Sequence, residues 1–589
     1  MLAVYLLLSL LSYYGNCIKI PVPQPSYDEN LIECVIDKVK EYLSEEKVIT
    51  YVGNKVEDEK LLKNFSVISR NASHQSFFPN QAYLVISKNT FIFAKYFEYL
   101  VTDSTWNPFA RFLIVIKLLR EDELRIIFDV LLKTHVNNAL VVNGTDDAHL
   151  YTYNPFDNYA CGKYYNDVIS YGLCSQATQN LYPYKLVTGL RNCTFKASLG
   201  HRPPFSIDPA KIDGEKTLLG TEEYIFKILS EIEQFNVIYN YSYNTELFST
   251  VAPNMTAIGP MNKLQNNETD IIFGGMMMIT TRAEAFTFLC GYHDYNDELR
   301  FVVKRASLVP IWKTVYIEFE FTVWMLLLLS LIVYSIMMIF LLRAKDKTSV
   351  PLELLDNLLL HGRHIRCRMT LKCILIIWVW FAYLINTFYQ SSLVSLTTNP
   401  SKEYQISDED DIAKYEFKPC FSGALRKFLV TEPTKKLFAS DKEDREGCDT
   451  TLGAINTVSK NENLYSLIPN YIYLYHKKSF NDKWGNSLIY YFEKPYTKFL
   501  FGFYFYKGFP ISPQLHMNAM RMRENGLADK SLNDQYFARA LKQRFSQKNF
   551  EVRFTLPWLL YVVGCVISSV TFLVEFLPKH RVKWPYLIS

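Results

Sequence analysis

The sequence predicts a multi-pass membrane protein in which one clamshell, made of two extracellular α/β lobes, is split by a membrane pore module. Three observations predict it. Three uncharged apolar runs reach spanning length, a shorter apolar segment lies between the first two, and helix and strand patterns occur on both sides of that pair. A helix needs about 20 residues to cross about 30 Å of hydrocarbon. The runs, of 22, 24 and 21 residues, are 321–342, 373–396 and 554–574.

The composition of the 589 residues excludes two classes of protein. Charged residues make up 21% and aromatic residues 15%, and so large an aromatic share excludes a disordered chain. The 63 basic and 59 acidic residues leave a net charge of +4, so no basic field indicates a nucleic-acid partner.

The N-terminal residues 1–17 are predicted to be a signal peptide. Their apolar core from Leu2 to Leu11 is too short to cross a bilayer, and the small residue Gly15 follows it. A short strand of a folded core is the alternative. Residues 18–190 are then a short extracellular region, predicted to be folded because it has four apolar stretches, 82–86, 109–119, 125–132 and 139–142.

Basic clusters orient the chain, because Lys and Arg concentrate on the cytoplasmic side of membrane helices. The rule places the loop 343–372 and the tail 578–589 in the cytoplasm, with the third transmembrane helix at 554–577. Lobe 1 (191–318) and lobe 2 (399–552) are then outside. The clusters are Arg343, Lys345 and Lys347, then Arg363, Arg366, Arg368 and Lys372, and finally Lys579, Arg581 and Lys583.

Glycosylation sequons agree with this topology. Seven Asn-x-Ser/Thr sequons precede the first run, and none lies in a segment predicted to be cytoplasmic. They begin at Asn64, Asn71, Asn143, Asn192, Asn240, Asn254 and Asn267.

The segment 349–360 (SVPLELLDNLLL) is apolar but only 12 residues long, so it cannot cross. A re-entrant segment between two spans is the arrangement of a pore. The alternative is an amphipathic helix that lies on the cytoplasmic face of the bilayer.

Cysteines in the predicted outer regions favour disulfides, since that compartment is oxidising. Their number is seven, so one thiol is free or pairs between chains. Cys420 and Cys448 are the only two in the second lobe, which makes them the plausible pair there.

Catalytic motifs are lacking: the sequence has no HExxH, GxSxG, P-loop or CxxC, and it predicts no enzyme and no cofactor. His361, His364 and Cys367 share a helical spacing that suits a metal. The arginines interleaved with them oppose a cation, and a cytoplasmic anchor explains the cluster better, so no metal site is predicted. Cys367 is alternatively a palmitoylation site.

A candidate binding residue is Arg282, which follows Gly274 and Gly275. Thr280 or Thr281 is predicted to cap a helix there, and an arginine beside free backbone N–H groups suits a carboxylate. A surface Arg282 paired with Glu284 is the alternative, and the residues alone favour it. Strands are predicted at 194–199, 237–243, 270–273 and 499–506, and a helix after Gly220.

These features together resemble the ionotropic glutamate receptor superfamily, and in local sequence its divergent arthropod branch, the chemosensory ionotropic receptors. The resemblance covers about residues 190–580 in order, on seven stretches. They are PPFSIDP (203–209), GGMMMITTRAEAF (274–286), LLDNLLLHG (354–362), ILIIWVWFAYLINTFYQSSLVSLTTNP (374–400), FGFYFYKGFP (501–510), RENGL (523–527) and WLLYVVGCVISSVTFLVEFL (558–577).

The resemblance implies a periplasmic-binding-protein-like clamshell that binds a small molecule and opens a cation pore in a tetramer. Arg282 matches the arginine that holds the ligand α-carboxylate. The stretch 389–398 matches the gating segment, and 354–360 matches the pore helix. The implied gating residues are Tyr389, Ser392 and Leu393, and the implied pore residues are Leu354, Asn357 and Leu360.

Departures from the family pattern disfavour glutamate as the ligand. Gly275 and Met277 stand where glutamate receptors carry Pro and Thr, which take the α-amino group. Ala424 and Leu425 align with their Ser-Thr pair, so a γ-carboxylate would lose hydroxyl partners.

The function so implied is that of a ligand-gated cation channel subunit for taste or smell. It would be a tuning subunit that assembles with co-receptor subunits of the same family in the plasma membrane of sensory neuron dendrites. Its partners would be a small-molecule ligand, permeant cations and the lipid bilayer. The alternatives are a non-conducting receptor or trafficking subunit of the same fold, and a membrane-anchored ectoenzyme, which no catalytic motif supports.

Overall fold

The structure is a computed structural model. The residues that it describes are 29–43, 49–55, 58–63, 67–69, 79–144, 148–177, 179–187, 189–211, 218–245, 247–293, 297–310, 313, 316–342, 349–359, 361, 369–398, 402–431, 445–542 and 555–576. The predicted signal peptide, the sequons at Asn64 and Asn71, the pore residue Leu360, the C-terminal tail, and His364 and Cys367 of the weighed metal cluster lie outside these residues.

The N-terminal unit is a seven-stranded sheet in the order β2-β1-β3-β4-β5-β6-β7. The first five strands pair in parallel, and β6 and β7 pair antiparallel at one edge. The strands are β1 (Ile49–Val52), β2 (Val67–Ser69), β3 (Ala82–Ser87), β4 (Arg111–Ile116), β5 (Ala139–Asn143), β6 (His149–Tyr153) and β7 (Val168–Leu173); the helices are Glu29–Tyr42, Glu59–Leu62, Thr90–Val101 and Leu124–Lys133.

Both faces of this sheet are covered, which explains why its central strands are continuously apolar. Helix Glu29–Tyr42 packs on one face. Helices Thr90–Val101 and Leu124–Lys133 pack on the other. The four apolar stretches found in the sequence therefore supply β3, β4, β5 and a covering helix.

The remaining strands form two five-stranded sheets and one short hairpin. They are β8 (Thr194–Leu199), β9 (Asn236–Tyr241), β10 (Thr250–Val251), β11 (Ala257–Ile258), β12 (Ile271–Phe273), β13 (Thr287–Cys290), β14 (Asp297–Lys304), β15 (Lys418–Pro419), β16 (Leu464–Pro469), β17 (Ile489–Tyr491), β18 (Thr497–Phe499) and β19 (Gly502–Phe505).

Lobe 1 is built on the sheet β13-β19-β12-β8-β9. Phe226, Phe273 and Phe503 make ring contacts in its core, where helix and sheet meet. Its helices are Thr221–Glu233, Asn262–Gln265, Thr280–Ala285, Ser512–Glu524 and Leu527–Lys542.

Lobe 2 is built on the sheet β15-β16-β14-β17, with β18 also paired to β14. Phe301 of β14 packs on Tyr465 and Phe492 at its centre. Its helices are Glu409–Lys414, Gly423–Thr431, Thr451–Lys460 and Asn470–His476.

The two lobes exchange strands, which corrects the boundaries predicted from the sequence. Strand β14 lies before the first apolar run yet belongs to lobe 2, and β19 with the helices after it belongs to lobe 1. The predicted strand 499–506 is accordingly broken at Leu500 and Phe501, where the chain passes from one sheet to the other. A sequence divided at its membrane runs cannot reveal this exchange, because strand partners are non-local.

The apolar runs form helices Phe321–Leu342, Met369–Thr398 and Thr555–Phe576. By length and composition, Phe321–Leu341 and Lys372–Ser395 could cross a membrane, and the third helix contributes the shorter apolar stretch Tyr561–Leu573. The segment predicted to be re-entrant is helix Ser349–Leu358, which packs between the first two.

Three disulfides join six of the nine described cysteines: Cys34 to Cys174, Cys161 to Cys193, and Cys420 to Cys448. The second one links the N-terminal unit to the first residues of lobe 1. Of the seven cysteines in the regions predicted to be extracellular, Cys290 is the one left as a free thiol.

Four of the predicted glycosylation residues are exposed: Asn192, Asn240, Asn254 and Asn267. Asn143 ends β5 and is only 8% exposed, so a glycan there requires the end of that strand to open.

Replacing Cys420 and Cys448 together by serine is expected to destabilise lobe 2 by about 3 kcal/mol, because the bond closes a loop across a sequence separation of 28. The measurement is the thermal unfolding midpoint of the full-length protein under non-reducing conditions. Cys290→Ser is the control, and it is expected to leave the midpoint near the wild-type value. Equal midpoints for the double variant and the wild type would contradict the prediction.

Candidate ligand-binding site

A cleft of about 650 Å³, including the part open to solvent, separates the two lobes. Ligand sites in proteins commonly lie between domains, as this cleft does. Residues from both lobes line it: Arg202, Thr245, Leu247, Phe248, Ser249, Gly275, Met276, Met277 and Arg282 from lobe 1, and Ser422, Ala424, Leu425, Phe428, Thr451, Leu467, Pro469 and Ile472 from lobe 2.

The floor of the cleft is the turn that follows β12. Gly274 and Gly275 have φ values of 122° and 68°, a region that L side chains rarely adopt. A Cβ on Gly275 would lie 2.7 Å from the Phe205 ring and 2.9 Å from Cδ of Arg202. The turn therefore requires glycine at position 275.

Glu222 holds this turn from behind. Its carboxylate is fully buried and accepts backbone N–H bonds from Gly274 at 2.7 Å and Gly275 at 3.0 Å, and a hydroxyl bond from Tyr292 at 2.6 Å. Burial raises the pKa of Glu222, and these three donors oppose that rise. Because Glu222 lies in the first turn of helix Thr221–Glu233, the helix dipole also favours its charge.

Arg282 lines the cleft, and its local setting differs from the one predicted from the sequence. Neither Thr280 nor Thr281 caps its helix, which starts after Ile279 without a side-chain cap. The side chain is only 5% exposed, so the alternative of a surface pair with Glu284 does not describe it.

Backbone carbonyls take three of the five guanidinium N–H groups of Arg282. Nε donates to Ser249 O at 3.0 Å, Nη1 donates to Met277 O at 2.6 Å, and Nη2 donates to Ser249 O. The Phe248 and Tyr504 rings lie 5.9 Å from the guanidinium carbon. The Tyr504 hydroxyl is a further hydrogen-bond partner of the guanidinium. No carboxylate among the described residues forms an ion pair with Arg282, so its positive charge has no counter-ion among them.

Arg202 is a second cleft arginine, which the sequence reasoning missed. Nη1 donates to Gly275 O at 2.9 Å and Nη2 donates to Thr245 O at 2.7 Å. The only feature of the sequence that indicates a role for Arg202 in binding is its position directly before the stretch PPFSIDP. Burial lowers the pKa of Arg282, the Tyr504 and Tyr243 hydroxyls oppose this, and the Arg202 cation adds a smaller lowering.

The lobe 2 wall is apolar apart from two hydroxyls. Ser422 precedes helix Gly423–Thr431, and Thr451 Oγ1 lies 3.4 Å from Ser422 Oγ. Ala424 and Leu425, which the sequence analysis aligned with a hydroxyl pair of glutamate receptors, line the cleft. The two hydroxyl groups on this wall belong to other residues, Ser422 and Thr451.

The two strand crossings between the lobes flank a small buried cavity. His293, Asp297, Tyr471, Leu500 and Phe501 are among its lining residues. Asp297 Oδ1 accepts backbone N–H bonds from Glu298 at 2.9 Å and Tyr471 at 3.2 Å. Burial raises the Asp297 pKa to about 7, and the backbone donors oppose this rise.

The segments that connect lobe 2 with the long apolar helices pair with each other. Leu308 and Lys402 form an isolated antiparallel β-bridge. Beside it, Glu403 N donates to Ser307 O at 2.9 Å, and Ala306 N donates to Gln405 Oε1 at 2.8 Å. Both connections therefore leave lobe 2 side by side, and a displacement of lobe 2 acts on both helices together.

The predicted gating residues lie next to the N-terminal end of helix Phe321–Leu342. Ser392 Oγ donates to Glu318, and the Tyr389 ring contacts Phe319 at 6.0 Å and Trp324 at 6.4 Å. Leu393 is half-buried on the same helix.

The predicted pore residues lie on helix Ser349–Leu358. Leu354 is buried, and its carbonyl accepts a bond from Trp378 Nε1 at 3.2 Å. Asn357 Nδ2 is buried without a partner among the described residues.

Comparison with protein-family models and with curated proteins found no match for this chain.

Proposed function

We propose that this protein is a ligand-gated cation channel subunit for chemosensation. It assembles with co-receptor subunits of the same family as a tetramer in the plasma membrane of sensory neuron dendrites. The observation that carries the proposal is the cleft between two strand-exchanging lobes, with Arg282 buried in it and lacking a carboxylate partner in the described part of the chain. A buried charge is costly unless it is paired, so an anionic ligand is the expected partner.

The coupling from cleft to pore follows from the connections. A ligand that contacts Arg282 on lobe 1 and the hydroxyls on lobe 2 draws the lobes together. Lobe 2 then displaces the paired connections at 306–308 and 402–405, which lead to helices Phe321–Leu342 and Met369–Thr398. The second of these helices carries Tyr389, Ser392 and Trp378, and Trp378 contacts Leu354 of helix Ser349–Leu358. The long apolar helices 321–342 and 369–398 are proposed as the spans and helix Ser349–Leu358 as the pore helix.

The direct test is whole-cell recording from cells that express this chain alone and with a co-receptor subunit of the family, against small acids, amines and sugars. A current only when both chains are present is the expected result. Surface arrival, measured with an extracellular antibody tag, is the control. No current from a chain that reaches the surface would overturn conduction and favour the non-conducting alternative.

Substitution of Asn357 by lysine is expected to lower calcium permeability relative to sodium at least severalfold, because a cation on the pore helix repels the divalent ion more strongly. The measurement is the reversal potential under bi-ionic conditions. Leu352→Met, an exposed position on the same helix, is the matched control. Unchanged selectivity in Asn357→Lys would place the conduction path elsewhere.

A further inference from the structure

The cleft carries two positive charges and no negative one among its described lining residues. Arg202 and Arg282 both line it, neither forms an ion pair with a described carboxylate, and no Asp or Glu is among the lining side chains. Two cations that line one cleft repel each other, and Arg282, which is buried, is also poorly solvated. A ligand that neutralises both arginines would remove the repulsion between them and the free-energy cost of a buried, unpaired cation.

Both arginines are held in place before any ligand arrives. Arg202 donates to the carbonyl of Gly275, and Arg282 donates to the carbonyl of Met277. These carbonyls are two residues apart, so their Cα atoms lie within about 7 Å of each other. Fixed donors lose little entropy on binding, and donors held on carbonyls this close are within reach of one short molecule with an acid group at each end.

The rest of the lining restricts the body of the ligand. Apart from Ser422 and Thr451, the lobe 2 wall consists of aliphatic and aromatic side chains, Leu425, Phe428 and Ile472 among them. An ammonium group would find no carboxylate there and would face two guanidinium groups. Like charges brought together at a binding site cost affinity, so amino acids and amines are disfavoured.

We infer that the cleft selects a small dianionic organic acid, with two acid groups on a hydrocarbon body and no amino group, and that Arg202 takes its second acid group. The inference rests on the proposed ligand-binding role of the cleft. It goes beyond that role in naming the chemical class of the ligand and a second recognition residue.

The test measures binding of a matched series to the purified full-length protein in detergent by isothermal titration calorimetry. The probes are glutarate, pentanoate and 5-aminopentanoate, which share one chain length and differ in the second head group. Glutarate is expected to bind about tenfold or more tightly than pentanoate, as expected for one additional charge-assisted contact, and 5-aminopentanoate more weakly than pentanoate.

Arg202→Gln separates the contribution of the second head group. This variant is expected to bind glutarate and pentanoate about equally, because only glutarate places a group on Arg202. Arg202→Lys, which keeps the charge, should retain part of the difference and serves if the glutamine variant does not fold. Arg521→Gln, an exposed arginine outside the cleft on helix Ser512–Glu524, is the control and should bind like the wild type.

Two results would overturn the inference: glutarate binding no tighter than pentanoate to the folded protein, or a difference between them that survives in Arg202→Gln. The proposed channel function fails independently of these results. Tight glutarate binding without any current would overturn conduction alone, whereas currents evoked by amines without glutarate binding would overturn this inference alone.

Discussion

Arg282→Gln is expected to lower the apparent affinity for an anionic ligand by about a hundredfold or more. The wild-type guanidinium offers its remaining N–H groups and a full charge to the ligand, and glutamine offers only a neutral amide. Hydrogen bonds to a charged group contribute about 1.5–3 kcal/mol, and loss of the charge adds the cost of leaving a buried anion unpaired. The readout is the ligand concentration that gives half-maximal current with the co-receptor present.

Arg282 also donates hydrogen bonds to the carbonyls of Ser249 and Met277. The thermal stability of the variant must therefore be measured together with its ligand-evoked current. Arg282→Lys retains the charge but cannot reach both carbonyls with one planar group, and an intermediate loss is expected. Thermal midpoints of all variants separate lost binding from lost folding. If the Arg282→Gln variant responds at wild-type ligand concentrations and has an unchanged thermal midpoint, Arg282 does not bind the ligand.

Asp297→Asn is expected to stabilise the protein at pH 7 by about 4 kcal/mol. Burial raises the Asp297 pKa from 3.8 to about 7, and each pKa unit corresponds to about 1.36 kcal/mol. Since the folded pKa lies above the unfolded one, the folded state binds the proton more tightly. The stabilising contribution is therefore complete below about pH 4 and is lost as the pH rises to about 7.

Asparagine mimics the protonated acid. Its side-chain carbonyl can still accept the N–H bonds of Glu298 and Tyr471. The thermal midpoint of the wild type should decrease as the pH rises from 4 to 7, whereas the midpoint of Asp297→Asn should change much less. Asp449→Asn, an exposed carboxylate in lobe 2, is the control. If Asp297→Asn and the wild type lose stability equally over this range, Asp297 is not the group that titrates.

The sequence predicted those elements whose formation depends on neighbours along the chain. The apolar runs became helices, strand Thr194–Leu199 has the bounds predicted for it, and the helix after Gly220 begins at Thr221. Length, apolar periodicity and turn residues determine such elements locally. The pairing of Cys420 with Cys448 also needed no tertiary information, because the second lobe holds only these two cysteines.

Tertiary structure decided which segments share a sheet and which side chains share the cleft. The exchange of β14 and β19 between the lobes joins residues about 200 positions apart, beyond any local periodicity. Arg202 became a site residue because the Gly274–Gly275 turn brings a carbonyl to it, and Asp297 acquired its raised pKa because both strand crossings bury it. A residue's charge is written in the sequence, whereas its burial and its partners, which set the energy of that charge, arise only when distant segments pack together.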